Sequence, residues 1–418
     1  MSDVYVKSNA VDIKSLVLTS ADGKRNYNLL SQVLNFDIYE DIMYPVVRGD
    51  FYVNDALDIL GSFPIIGEET IDVEFGSPGI DITCKYTLHV LRVDNQTTSP
   101  SSKFKSYVLR CASEEFIQNS IKLVTGKMKG NTDALIQFIT KNELNSQKTV
   151  SIEPTKGIQD VLVSRMRPLQ VIDMFRKRSA SLKYASSSYV FFENKRGFNF
   201  CTIEFLMDQL QENVKDKVFF YDPAASTDVR NMNTRNVISF QQISQVDNTK
   251  KLTQGGFNNR VKRFDLMTGG VTETNYKNSQ DETKFKFASK KAIGTNSSNF
   301  QKKVDAKPAQ SLLVPHSSHL PENYIDATMG AKHAYVTKLG QNIYQMLING
   351  DPVLTAGDVI TVNIPAATGD NGQPTDSRLT SGNYLISKLR HCVQNPQSGQ
   401  KSYMVSLELI KGFSEDHA

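Results

Sequence analysis

The sequence predicts a multidomain, β-rich α+β protein in which two similar small β-barrels flank an α/β domain. Short strands of period two, separated by turn residues, fill residues 12–112 and resume at residue 237. Helical spacing of apolar residues is concentrated between those regions. Toward the C-terminus, Asn349-Gly350-Asp351-Pro352, Ala356-Gly357-Asp358 and Ser381-Gly382-Asn383 punctuate a further row of short strands. Asn-Gly and Gly-Asp supply the positive-φ residues that tight hairpins need. Val359, Thr361 and Asn363 alternate there with Ile360, Val362 and Ile364, as in a strand buried on both faces or paired inside a barrel.

The first barrel is assigned to residues 1–112. Asp22-Gly23 lies between Leu16-Val17-Leu18 and Tyr27-Asn28-Leu29, a hairpin signal whose polar surroundings lengthen the loop beyond two residues. Strands are expected over 35–39, 46–53, 70–75 and 84–90, the last three alternating so that each shows one face to a core. A strand over 107–111 closes a barrel of about six or seven strands.

Residues 113–236 are assigned to the α/β domain. Ser113 is placed to cap a helix with Glu114 and Glu115 in its first turn, with Ile117, Ile121 and Val124 at helical spacing, and with Gly126 and Gly130 ending it. A second helix starts at Thr132-Asp133 and carries Leu135, Ile136 and Ile139 on one face. A third follows Pro168, with Leu169, Ile172 and Phe175 inward and Arg176-Lys177-Arg178 at its far end. Tyr189-Val190-Phe191-Phe192-Glu193 and Gly197-Phe198-Asn199-Phe200-Cys201 form a hairpin around Asn194-Lys195-Arg196-Gly197.

The second barrel is assigned to 237–277 and 331–413. Strands over 237–243 and 260–266 are joined through Gly255-Gly256, and a helix runs from Asp326 to near Gly340. Residues 341–348 continue that helix or form a strand; the Asn-Gly pair just beyond favours the strand. Residues 278–330 form a basic insertion, rich in Lys, Ser, Asn and Gln, able to stay mobile until a partner orders it.

Composition narrows the function. A chain of 418 residues has room for several domains, each burying its own core. Apolar runs such as Phe63-Pro64-Ile65-Ile66 fall far short of the roughly 20 residues that cross a bilayer, so no membrane span is expected. Met1-Ser2-Asp3-Val4-Tyr5-Val6-Lys7 carries no secretory h-region, which points to folding in the cytoplasm. Cys84, Cys111, Cys201 and Cys392 show neither C-x-x-C spacing nor a disulfide framework.

Catalytic motifs are wanting. Gly126-Lys127-Met128 has neither the earlier glycine nor the hydroxyl residue of a phosphate-binding loop, and no H-E-x-x-H or G-x-S-x-G occurs. His316-Ser317-Ser318-His319, with His333 downstream, has metal-like spacing but no local thiolate or carboxylate ligand, so no metal or cofactor is assigned. Glu68-Glu69 reads as a solvated turn and Glu114-Glu115 as compensation of a helix dipole. Arg165, Arg167, Arg176, Lys177 and Arg178 suit phosphate contact, although arginines at a helix end more often complement its dipole.

From Lys277 to Lys307, eight lysines against Asp281, Glu282 and Asp305 give a net +5, which leaves the rest of a chain of formal charge +4 near neutral. Lys284, Lys286, Lys290, Lys291, Lys302 and Lys303 are the candidate partner-contact tract. Interleaved with Phe285, Phe287 and Phe300, they suit an acidic protein surface or single-stranded nucleic acid.

Three features resemble the central baseplate hub proteins of contractile-tailed phages. Arg167-Pro168-Leu169-Gln170-Val171-Ile172-Asp173-Met174-Phe175-Arg176-Lys177-Arg178-Ser179-Ala180, followed by Val190-Phe191-Phe192-Glu193-Asn194-Lys195-Arg196-Gly197-Phe198-Asn199-Phe200, is similar to that family's Pro-initiated helix, aromatic strand and Gly-Phe-x-Phe strand. Asn349-Gly350-Asp351-Pro352 through Pro365, then Gly382-Asn383-Tyr384-Leu385-Ile386 through His391, resembles its second tube-forming barrel. The third feature is the order barrel, α/β domain, barrel, which spans almost the whole chain.

The resemblance implies a structural virion protein and not an enzyme. It implies a homotrimer whose paired barrels build a six-fold-like ring, with the hexameric tail tube on one side and a trimeric central spike on the other. DNA would pass through the lumen without specific binding, so lumen-facing residues should be neutral or acidic. The partners implied are the spike, a tube or tube-initiator protein and baseplate wedge proteins. The location implied is the virion baseplate, after assembly in the host cytoplasm late in infection. Type VI secretion spike proteins and pyocin hubs are similar in fold but often carry fused needle repeats; here a separate spike is expected, because the chain ends soon after the second barrel. The basic tract 278–321 departs from the compact pattern. Two other classes compete: a tail-associated peptidoglycan hydrolase with the α/β unit as catalytic domain, and a single-stranded nucleic-acid-binding protein using barrel faces and the lysine tract.

Overall fold

The computed structural model describes residues 9–63, 65–98, 104–184, 187–208, 217–221, 235–244, 248–255, 258–265, 267–277, 310–316, 325–340, 342–366, 376–377, 380–395 and 400–411. The N-terminal region supplies β1 (Asp12–Thr19), β2 (Asn26–Asn28), β3 (Val33–Asp41), β4 (Arg48–Asp55), β5 (Thr70–Gly76), β6 (Thr83–Thr98) and β7 (Lys105–Ala112). The middle supplies β8 (Val124–Asn131), β9 (Val150–Ile152), β10 (Ile158–Met166), β11 (Tyr189–Asn194) and β12 (Gly197–Thr202). Then come β13 (Val218–Phe220), β14 (Val237–Ser244), β15 (Asn258–Asp265), β16 (Val271–Lys277), β17 (Gln310–His316), β18 (Ile343–Asn349), β19 (Val359–Asn363), β20 (Gly382–Gln394) and β21 (Ser402–Ile410).

One large sheet dominates the described residues, in the order β14-β18-β21-β20-β3-β4-β7-β6-β5-β1-β2, with β19 also beside β20 and β13 beside β19. The period-two patterns are what allow it. In β5, Ile71, Val73 and Phe75 are buried while Asp72 is exposed, and in β21 Tyr403, Val405, Leu407 and Leu409 point inward. The N-terminal and C-terminal strand groups meet at an antiparallel seam, running from Lys388 opposite Asp41 to Gln394 opposite Asn35. Across it Arg390 donates to Asp37 at 2.7 Å. Phe36, Phe51 and Phe75 from one side share a single core with Leu389, Tyr403 and Val405 from the other.

The middle region packs the helices Thr132–Phe138 and Pro168–Arg178 against a two-stranded β8–β10 ribbon and a β11-β12-β9 sheet, while the helix Glu114–Ile121 lies against β6. All six residues of β11 are buried, because the hairpin it forms with β12 lies between two cores. Tyr189 stacks on Phe200 at 4.7 Å and Phe191 on Phe198 at 5.2 Å within the middle region. Val190, Phe192 and Cys201 face a different core, shared with Tyr335, Leu339 and Val359. Burial on both faces is why this strand reads as a continuous apolar run without alternation.

Several expectations are corrected. Ser113 sits at the N-cap of the Glu114–Ile121 helix, yet its hydroxyl makes no cap bond and donates instead to Glu193 at 2.6 Å. Ile121 is exposed, and Val124, Gly126 and Gly130 lie within β8, because pairing with β10 takes residues 124–131 out of helical register. Asn349-Gly350 is not a hairpin turn: β18 pairs with β14 and β21, and β19 pairs elsewhere. Strands β15 and β16, expected in one barrel with β14, instead join β17 in a separate three-stranded sheet, and β17 comes from within the expected basic insertion. The helix Ile325–Leu339 packs on that sheet, and the short helix Asn248–Thr253 separates it in sequence from β14. Strand β13, placed within the α/β span 113–236, pairs in parallel with β19 of the large sheet. Residues 343–349 are a strand, which resolves the alternative in favour of the extended form. Among the described residues no helix is long and apolar enough to cross a membrane.

Candidate functional site

The residues that join the three regions converge on the tip of the β11–β12 hairpin. Asn194 pairs with Gly197, leaving Lys195-Arg196 as a two-residue loop. Gly197 has φ +123°, and a Cβ there would stand 2.4 Å from the Thr149 carbonyl oxygen, so the turn admits only glycine without distortion. An apolar hairpin thus carries a polar tip, whose residues reach the N-terminal strands at Val47 and Glu40 and the segment 352–358 ahead of β19.

Glu193 accepts hydrogen bonds from the Val47 amide at 2.9 Å and the Ser113 hydroxyl at 2.6 Å. It also pairs with Lys148 at 2.7 Å, and Lys148 bridges to Glu115 at the same distance. Asn194 donates to the Ala356 carbonyl at 3.1 Å. Arg196 forks onto Asp358 at 2.9 and 3.2 Å, and Lys217 reaches the same carboxylate at 2.7 Å. Lys195 donates its ammonium to the Pro352 carbonyl.

Glu40 on β3 is the centre of this network. It is 1% exposed and accepts four bonds: from Tyr86 at 2.9 Å, the Lys195 amide at 2.7 Å, Thr355 at 2.6 Å and the Ala356 amide at 2.8 Å. Burial pushes its carboxyl above the ordinary range, and those four donors pull the other way. Four donors from three regions of the chain fix the hairpin against both strand groups in one geometry.

Beside it, the Tyr403 hydroxyl lies 2.7 Å from His391 Nδ1, and Cys84 Sγ lies 3.9 Å from His391 Nε2. A cysteine beside a histidine invites comparison with a nucleophile pair, but burial pushes the Cys84 thiol up to about 12. Burial, reinforced by Lys195, pushes His391 down to about 3. Thiol and neutral imidazole therefore face each other inside a core that also holds Phe75, edge-on to both rings of His391 and Tyr403. The arrangement packs β5 and β6 onto β20 and β21.

A pH dependence follows. His391 has a folded pKa below its unfolded value near 6.5, so the unfolded chain binds the extra proton and stability is lost as pH falls from about 6.5 toward 3. Between pH 7 and 5 the expected loss from this group is about 2 kcal/mol. Glu40, with its pKa raised, works in the opposite sense: its contribution is complete below its unfolded pKa and is lost as pH rises through the folded one. Urea unfolding at pH 7 and pH 5, at fixed protein concentration, should show the drop in the wild type and a smaller one in His391→Gln. Equal drops in the two proteins would remove His391 as its source.

The sequence-predicted residues are distributed otherwise. Lys284, Lys286, Lys290, Lys291, Lys302 and Lys303 lie outside the described residues, as does His319. His333 meets the Gln254 carbonyl, and among the described residues no group of three His, Cys, Asp or Glu side chains is arranged to hold a metal. Arg176 and Lys177 pair with Asp173. Glu69 is buried and accepts the backbone amides of Ile66, Gly67 and Glu68, so that pair is not merely solvated, whereas Glu114 and Glu115 stand in the first turn of their helix as expected, with Glu115 also buried against Ser146 and Lys148. Glu40, Glu193, Lys195 and Asp358 were not singled out; the available signal was a run of charged residues closing an apolar hairpin.

No family model matches the chain. Its fold is that of phage-type tail proteins: it superposes on the tail protein from Neisseria meningitidis MC58 with a TM-score of 0.57, covering 97% of both chains at 12% identity. The 43 kDa tail protein of prophage MuSo2 from Shewanella oneidensis gives a TM-score of 0.54, with 95% and 98% covered at 11% identity. In sequence, the chain is 21% identical over 398 residues to the probable baseplate hub protein gp334 of Vibrio phage KVP40, covering 91% of this chain and 89% of that one. The resemblance to baseplate hub proteins read from the sequence is therefore matched by a curated relative along nearly its whole length.

Proposed function

We propose that the chain is a structural subunit of a phage tail baseplate hub. The observation that carries this is the similarity to a hub protein along nearly the entire chain. In this reading three copies form a ring of six-fold-like symmetry that joins the hexameric tail tube to a trimeric central spike, and DNA passes through its lumen. Residues 1–112, and β14 with β18–β21, serve as the two tube-type barrels of each subunit; most of 113–236 forms the domain between them. The seam between β3 and β20 supports this role, since a ring under contraction load needs its two strand groups joined by backbone pairing and a shared core. Lys284, Lys286, Lys290, Lys291, Lys302 and Lys303 contact an acidic surface of a neighbouring baseplate protein, either wedge or spike. The role is structural and not catalytic.

Light scattering of the purified protein, alone and with its cognate spike, tests the reading. The expected species has about three times the 46.8 kDa chain mass, in one or both samples. A monomer in both samples would overturn the ring.

A further inference from the structure

Among the described residues, no element covers the outer face of the Pro168–Arg178 helix, where Gln170 and Lys177 are exposed. Along it runs a groove of about 590 Å³ whose floor is Met166, Leu169 and Met174 and whose rim is Lys177 and Arg178. At Leu169 and Asp173 it meets a second hollow of about 270 Å³ that extends to Met43. Met43 is 55% exposed. Methionines give an apolar floor that adapts to differing side chains.

The charges around this floor are unbalanced. Asp173, the one carboxylate among the described residues that line the groove, is occupied by Arg176 at 3.0 Å and Lys177 at 2.6 Å. Arg178 is partly buried and makes no hydrogen bond or ion pair among the described residues. Burial lowers its basicity, and among the described residues no anion offsets it. A guanidinium withdrawn from water without a partner is costly, and a carboxylate is the group whose geometry matches it.

We propose that this groove docks an acidic segment of another protein, with a carboxylate meeting Arg178 and a neighbouring apolar side chain lying on Met166, Leu169 and Met174. The charge complementarity selects the occupant: the rim supplies cations in excess of the single acid, and the floor supplies apolar contact. The inference stands on the groove itself and is independent of the hub reading.

The test uses the full-length protein and three fluorescein-labelled probes: a synthetic peptide of repeating Glu-Glu-Leu-Leu, its Lys-Lys-Leu-Leu counterpart, and oligothymidine. The acidic peptide should bind saturably, weaken with salt, and protect amides of residues 166–178 from hydrogen exchange. Arg178→Gln should weaken it at least about ten-fold. Met174→Glu, at a partly exposed position, should do likewise by placing a like charge on the floor. A melting profile matching the wild type certifies each variant, and the wild-type exchange map stands even if one variant fails to fold. Absence of saturable binding, binding by both variants as tight as that of the wild type, protection elsewhere, or preference for the Lys-Leu peptide or oligothymidine would each overturn the proposal. Protection of 166–178 that grows with protein concentration alone would assign the groove to a second copy of this chain and overturn it equally.

Discussion

Glu40→Ala is expected to destabilise the folded chain by about 4 kcal/mol or more, because it strands four buried donors at once. The amides of Lys195 and Ala356 and the hydroxyls of Tyr86 and Thr355 all end on this carboxylate. None can turn to water without opening the junction, since Glu40 is wholly buried and Thr355 and Ala356 are buried with it. Glu40→Gln should cost less, because the amide oxygen still accepts on one side while its NH₂ opposes the donors on the other. The urea midpoint measures both. Hydrogen exchange should show the loss at the Val47, Lys195 and Ala356 amides, which belong to the three regions the hairpin tip ties together. An alanine variant within about 1 kcal/mol of wild type would mean that the junction is not what holds these regions in place.

Gly350→Ala carries the second large effect, expected at about 3 kcal/mol. A Cβ at this position would lie 2.0 Å from Tyr403 Cδ1 and 2.3 Å from Cγ. The ring has nowhere to retreat. It is fully buried, its hydroxyl is engaged with His391, and Phe75 meets it edge-on at 5.4 Å. The backbone is equally held, since the Gly350 amide donates to the Tyr403 carbonyl at 2.9 Å and its own carbonyl accepts from Ser77 at 2.6 Å. Ser77→Ala, which removes only that last bond, should cost about 1 kcal/mol and calibrate the comparison. A Gly350→Ala protein that melts with the wild type would show that Tyr403 can move, contrary to its packing.

The Gly350 case also shows where sequence reasoning reaches its limit. Asn349-Gly350 has the composition of a tight turn, yet the glycine is present for close approach to a ring more than fifty residues away in the chain, as the numbering of Gly350 and Tyr403 makes plain. Strands with one face to a core, such as β4 and β5, were legible because period two is a local property of the residues. The Pro168–Arg178 helix was legible for the same reason, with proline at its start and basic residues at its end. Residues 124–131 were misread because Val124, Gly126 and Gly130 carry no signal of their own; β10 makes them a strand.

The site was less legible than the fold. Glu40, Glu193 and Asp358 look like ordinary surface acids in the sequence, and only their burial against donors from other regions gives them a role. The sequence by itself determined the β-rich class, most strands and helices, and the resemblance to baseplate hub proteins, since those rest on periodicity, turn residues and local order. The tertiary structure alone decided which strands pair, that β15–β17 stand apart from the large sheet, and that a hairpin tip locks the regions together. The reason is that pairing and desolvation depend on partners far away in sequence, and no local pattern of residues encodes which partner arrives.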